Sequence, residues 1–172
     1  CSFRRQDLFD NRHPNYVGDI GIGINPKLAE MVKESDLLLV IGARLGEMTT
    51  SGYTLVETPT PKQKLIHIHP GLEELGRVFQ GSVLINSDIE EAINALASIP
   101  AMESNWKDWL TQGHESYLKN IIPQASPGNV DLGQVMVALR DLLPADSVIT
   151  NGAGNFSGWI QRYWQYSGYR SQ

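Results

Sequence analysis

Cysteine is nearly absent: Cys1 is the single one in 172 residues, so no internal disulfide staples the chain. That fits a reducing compartment, and with no signal-peptide pattern at the start a cytoplasmic location is expected. Long apolar runs are also missing. None approaches the roughly 20 residues that span a bilayer, so no membrane partner is expected. Positive charge is in short supply, with 14 Lys and Arg against 19 Asp and Glu and a net charge of −5. Without a basic excess to neutralise phosphates, no nucleic-acid partner is expected. No Ser/His/Asp or Cys/His arrangement stands out, nor a pair of carboxylates at acid–base spacing. An initiator Met is lacking too. The chain opens Cys1-Ser2-Phe3 and closes Arg170-Ser171-Gln172, and both ends read as cut from something longer.

What is present is an ordinary globular mixture, 41% hydrophobic and 19% charged, which argues against disorder. Four short apolar runs read as buried strands: Leu37 to Ile41, Leu65 to Ile68, Val83 to Ile85, and Ser147 to Thr150. Each is stopped by Gly, Pro or Asn, the pattern of strands covered on both faces. Helix-period segments lie between them. Asn25-Pro26 supplies an N-cap and a Pro at the first helical position, ahead of Leu28, Met31 and Val32. Asp88 and Glu91 have capping-box spacing before Ile89, Ala92, Ile93 and Leu96. Alternating strands and helices predict an α/β fold, a Rossmann-like three-layer parallel sheet. Residues 1–100 read as this domain and 101–128 as a connecting helix and linker, with Trp106, Trp109 and Leu110 on the helix. Residues 129–172 read as a partial second α/β unit, in which Asp131 caps a helix carrying Val135, Met136, Leu139 and Leu142.

One turn stands out chemically. Asn151-Gly152-Ala153-Gly154-Asn155 follows an expected strand and precedes the helical pattern Phe156, Trp159, Ile160, Tyr163, Trp164. Small residues at such a turn let a phosphate approach the backbone, although a tight turn also needs glycine. Gly18-Asp19-Ile20-Gly21-Ile22-Gly23 has the outline of a dinucleotide fingerprint. No strand precedes it, however, and Asn25-Pro26 stands where the third Gly should open a helix, so it reads as a structural turn, with a substrate- or nucleotide-lining loop as the alternative. Arg44, just past the most apolar strand, can meet an anionic ligand or pair with Glu47 or another acid. His67 and His69 share a strand face, but no Cys or third His is spaced to complete a metal site, so both read as ordinary strand residues. The aromatics at 159, 163 and 166 read as core or interface.

With these motifs in view, the chain resembles the thiamine-diphosphate-dependent enzymes of the acetolactate synthase type. Asn25-Pro26-Lys27-Leu28, Ser35 through Leu45 (SDLLLVIGARL) and Gln63 through Pro70 (QKLIHIHP) look like that family's central domain. Asp146 through Phe156 (DSVITNGAGNF), and on to Trp159, looks like the start of its diphosphate-binding domain. The resemblance implies a central domain lacking its first strand–helix unit, followed by the opening of the next domain. It also implies that Gly152, Gly154, Asn155 and Phe156 lie against the diphosphate of thiamine diphosphate.

The family's activating glutamate belongs to a pyrimidine-binding domain of which no part is here, and its Gly-Asp-Gly metal motif would follow Gln172. Thiamine diphosphate and Mg are therefore cofactors of the parent enzyme, and this chain alone is expected to be inert. Leu45-Gly46-Glu47-Met48 and His67-Ile68-His69-Pro70 depart from the acidic patterns of relatives that carry FAD, so FAD is not expected. The parent would act on 2-keto acids, as synthase, decarboxylase or carboligase, with the remaining domains of its own chain as partners and a homo-oligomeric assembly. The alternatives are a non-catalytic module holding ADP, CoA or FAD near Arg44, and a structural dimerisation domain.

Overall fold

The segment Lys64–His69 alternates Leu, Ile and His without a break, so it can face packed neighbours on both sides of a sheet, and it forms the middle strand of one. In the computed structural model, which describes residues 1–101 and 103–172, the elements in chain order are α1 (Pro26–Glu34), β1 (Leu37–Ile41), β2 (Lys64–His69), β3 (Val83–Asn86), α2 (Ile89–Ala97), α3 (Lys107–Asn120), α4 (Leu132–Leu142) and α5 (Ser157–Tyr163). The chain divides into two compact units, residues 29–105 and residues 1–28 together with 106–172.

In the unit of residues 29–105 the strands form a parallel sheet in the order β1-β2-β3. Leu38 pairs with Leu65, Val40 with His67, and Ile68 with Ile85. Parallel neighbours need a crossover, and the returns run through residues 42–63 and 70–82. Helix α2 packs on β2, its N-terminus capped by Asp88, whose carboxylate accepts from Glu90 N at 2.9 Å. Gly42 ends β1 with φ 69°, and a Cβ there would press on Ile89 at 3.3 Å, so glycine both makes the turn and admits α2. The expectation of an α/β fold with a Rossmann-like parallel sheet holds.

Burial corrects one part of that expectation. Leu65 is fully buried and Ile68 and His67 nearly so, but Leu37, Leu39 and all four residues of β3 are exposed. With three strands, only β2 has a neighbour on each side. The edge strands carry central-strand residues without central-strand cover.

The second unit holds the helices α3, α4 and α5 and no strand where Ser147–Thr150 suggested one. That stretch is irregular: Ile149 N donates to Ser171 O at 2.9 Å, and Val148 is 63% exposed. A parallel strand needs a strand beside it, and among the described residues of this unit the only β pairing is the isolated bridge Ser2–Ile20. Asp131 caps α4 by accepting from Gly133 N and Gln134 N. The core gathers Tyr16, Tyr117 and Ile121, with the Tyr16 and Tyr117 rings edge to face at 4.8 Å. Of the aromatics expected in core or interface, Tyr163 and Tyr166 are buried, and Trp159 is half-buried with its ring stacked on Tyr163 at 6.0 Å.

Residues 1–28, read with the α/β segment in sequence, have their polar partners in this unit. Asn11 Nδ2 donates to Gln6 O and Phe9 O, and its Oδ1 accepts from Tyr166 N. Gln6 Nε2 donates to Gln161 O and to Asp19 Oδ1. Burial pushes the Asp19 carboxyl up to about 6, against the opposing pull of the Gln6 hydrogen bond.

An unfolded Asp titrates near pH 4, so the folded chain holds this proton more tightly. Its contribution is complete below about pH 4 and is lost as pH rises through about 6, by roughly 3 kcal/mol. Asp19→Asn should therefore raise stability at pH 8 by about 1–3 kcal/mol and flatten the decline between pH 4 and 7. Urea unfolding at pH 4.5 and pH 8 checks this. An unchanged pH slope in the variant would contradict it.

Candidate functional site

The turn before α5 is built from small residues, and its geometry requires them. Gly154 has φ 150°, and a Cβ there would fall 2.6 Å from the Phe156 ring. Ser157 closes the turn, its N and Oγ both donating to Gly154 O, at 3.0 and 2.7 Å. Every residue from Asn151 to Phe156 is exposed. The backbone N–H groups of Gly152, Ala153, Gly154, Asn155 and Phe156 have no hydrogen-bond acceptor among the described residues. An exposed row of unengaged backbone donors with little side chain in the way suits an oxyanion. The structure thus brings Gly152, Gly154, Asn155 and Phe156 together in one turn.

Arg44 lies in the other unit, at the carboxyl edge of the parallel sheet, where ligands enter open α/β sheets. It lines a cleft of about 200 Å³ with Tyr53, His67, Glu74, Arg77 and Phe79. Its acid partner is Glu74 rather than Glu47: Arg44 Nε and Arg77 Nη1 each lie 3.1 Å from the same oxygen, Glu74 Oε1. The Glu74 side chain is 6% exposed, whereas those of Arg44 and Arg77 are 66% and 62% exposed. One buried carboxylate therefore anchors two cations whose remaining donors face solvent. That leaves a net positive rim able to meet an anion.

His67 stands beneath this rim, its Nε2 2.9 Å from Ala43 O. A carbonyl only accepts, so Nε2 carries the proton. Burial lowers the ring's pKa, with the Ala43 hydrogen bond opposing, and the ring is neutral at pH 7. On His69, Nδ1 accepts from Gly71 N at 3.0 Å. The rings are 5.9 Å apart, each with one nitrogen committed to backbone, as befits ordinary strand residues. Among the described residues no three His, Cys, Asp or Glu side chains cluster to hold a metal.

Glu74, Arg77 and Phe79 escaped the sequence reading. The i, i+3 spacing of Glu74 and Arg77 was the available signal, but it spoke only of a local pair. The Gly18–Gly23 segment is a structural turn, as expected: Gly18, Gly21 and Gly23 all have positive φ, and a Cβ on Gly21 would meet Phe3 at 2.6 Å.

Residues 1–96 match the thiamine pyrophosphate enzyme central-domain family. Among characterised proteins, the acetolactate synthase isozyme 2 large subunit of Escherichia coli (strain K12) is 23% identical over 95% of this chain and 29% of its own length. The isozyme 1 large subunit of the same organism is 33% identical over 88% of this chain and 26% of its own length. Acetolactate synthase 1, chloroplastic, of Nicotiana tabacum is 26% identical over 78% of this chain and 21% of its own length. The chain thus spans about a quarter of the length of the relatives it matches.

Proposed function

This chain belongs to the thiamine pyrophosphate enzyme family, and from that premise we propose that it is part of a thiamine-diphosphate- and Mg-dependent enzyme acting on 2-keto acids. The single observation that carries the reading is the family match over residues 1–96, which leads on to the glycine turn at 151–156. On this reading residues 1–100 are the central domain, 101–128 a connector, and 129–172 the opening of the diphosphate-binding domain.

The turn fits the cofactor's diphosphate. It offers unengaged backbone donors and small residues, and Gly154 lacks the Cβ that would collide with the Phe156 ring. Gly152, Gly154 and Asn155 would hold the diphosphate oxygens through backbone N–H groups, with Phe156 flanking them. When bound, the cofactor supplies the carbanion chemistry that makes or breaks a bond beside a keto carbonyl. The work of this chain is binding and orientation. The family's activating glutamate and the ligands for Mg would come from the remaining domains of the parent, in a homo-oligomer.

The chain alone is accordingly expected to be inert. Purified protein with thiamine diphosphate, Mg and pyruvate should release no carbon dioxide above the protein-free rate. Measurable decarboxylation would overturn the division of labour proposed here.

A second reading is favoured by the cleft at Arg44. A nucleotide such as ADP would set its phosphates on the exposed donors of Arg44 and Arg77, with the central domain serving as a non-catalytic module. ADP affinity unchanged by Arg44→Ala would count against it.

A further inference from the structure

The cleft at the carboxyl edge of the parallel sheet has an aromatic wall as well as a cationic rim. Tyr53 and Phe79 line it together with Arg44 and Arg77. The two rings pack against each other, their centroids 6.5 Å apart and their planes tilted by 42°. Phe79 is 3% exposed and backs the contact, whereas Tyr53 is 40% exposed and keeps ring surface open to solvent.

Tyr53 is held there at a cost. Ser51, Gly52 and Tyr53 have φ of 52°, 68° and 62°, three consecutive residues in left-handed backbone that only glycine adopts freely. The same turn leaves the Ser51 hydroxyl buried without a hydrogen-bond partner among the described residues. The loop is pinned on both sides of the strain. Gly52 N donates to Glu47 O at 2.8 Å, and Thr54 N and Leu55 N donate to Thr50 O at 3.1 and 3.0 Å. The hydroxyl of Thr50, a fully buried residue, donates to Gly46 O at 2.9 Å. Strain that the surroundings over-determine in this way gathers where a side chain has to be presented to a ligand.

We propose that this cleft binds a small aromatic carboxylate, its acid group on Arg44 and Arg77 and its ring on Tyr53, which makes Tyr53 the residue that sets specificity. Size and charge select that class. A cleft of about 200 Å³ holds one ring with its acid group, whereas pockets for larger ligands start at roughly 300 Å³. The ribose and further phosphates of a nucleotide would stand outside it. The charged residues that line the cleft are Arg44, Arg77 and Glu74, and two guanidinium groups less one carboxylate leave a single positive charge. Glu47 and Glu73, adjacent in sequence to lining residues, do not line it. A carboxylate carries the complementary charge and meets guanidinium donors through charge-assisted hydrogen bonds. A flat ring also stacks on an aromatic face in a way that a puckered ring of the same size cannot. The proposal rests on the nucleotide reading only so far as both set an anion on Arg44 and Arg77.

The test is a titration of the isotopically labelled chain with benzoate, cyclohexanecarboxylate, acetate and inorganic diphosphate, followed by amide and ring resonances. Saturable benzoate binding is expected, roughly threefold or more tighter than cyclohexanecarboxylate and roughly tenfold or more tighter than acetate. Tyr53→Asn removes the ring and suits left-handed backbone, so it should fold and weaken benzoate roughly three- to tenfold, while Tyr53→Phe should retain it. Arg44→Gln and Arg77→Gln should each weaken it roughly tenfold or more, the loss of one charge-assisted contact. Arg12→Gln, at an exposed cation of the other unit, should change nothing.

A second readout does not depend on how the variants fold. In the unaltered chain benzoate should shift the Tyr53 ring resonances through its ring current, and saturating acetate should not. Equal binding of benzoate and cyclohexanecarboxylate, binding indifferent to Tyr53→Asn, or Tyr53 ring resonances unmoved by benzoate would each overturn the proposal. Silence toward benzoate beside Arg44-dependent binding of diphosphate would overturn it and leave the nucleotide reading standing. Silence toward both would overturn the two together.

Discussion

Asn11→Ala is expected to cost about 3–5 kcal/mol of stability, enough to unfold much of the chain at 37 °C. Asn11 is 1% exposed, and its amide serves three backbone groups: it donates to Gln6 O and Phe9 O and accepts from Tyr166 N, at 2.8–2.9 Å. Its own N donates in turn to Tyr166 O at 2.8 Å. Truncation leaves Gln6 O and Tyr166 N without these buried bonds and Phe9 O without a part-buried one, each buried group worth about 1–3 kcal/mol when water cannot reach it. Asp at this position keeps the acceptor for Tyr166 N but loses both donated bonds, so Asn11→Asp should be nearly as harmful at neutral pH. Urea unfolding followed by tryptophan fluorescence measures both. A loss below 1 kcal/mol would mean that water or a local shift replaces the amide.

Leu65→Ala should cost a similar amount for a different reason. Leu65 is fully buried at the centre of β2, with Leu38 as its register partner on β1. Removing its branched end forfeits transfer free energy and leaves a cavity that two flanking strands cannot close, typically about 3–5 kcal/mol for such a site. The edge strands provide the internal comparison. Val83→Ala, at a position 45% exposed, removes apolar surface that water already reaches and should cost under about 1 kcal/mol. Equal losses at the two positions would contradict the assignment of β2 as the buried strand.

The parts legible in the sequence are those decided by neighbours along the chain. The run Leu37–Ile41 ends at Gly42 because the backbone there takes φ 69°, and that stop is visible from the glycine alone. The caps at Asn25, Asp88 and Asp131 act on backbone two or three residues away, so their spacing announces them. The turn at Gly152–Phe156 was readable for the same reason.

What stayed hidden depends on partners far off. Whether an apolar run is buried is settled by the strands beside it, so β1 and β3 read as interior strands yet lie at the edges of a three-stranded sheet. Ser147–Thr150 has strand composition but no strand to pair with in its unit. Glu74 holds Arg44 across thirty positions of chain, and Asn11 meets Tyr166 across 155. No local pattern could select either pair from the other acids, amides and aromatics.

The central proposal is that Gly152, Gly154, Asn155 and Phe156 receive the diphosphate of thiamine diphosphate through their backbone N–H groups. The most direct test follows the backbone amide resonances of isotopically labelled chain during a thiamine diphosphate titration, with and without Mg. The account predicts that the amides of Gly152 through Phe156 shift in a saturable way, that Mg leaves this response unchanged, and that the Arg44 amide stays still. Silence at the turn, or tight binding that requires Mg, would contradict it.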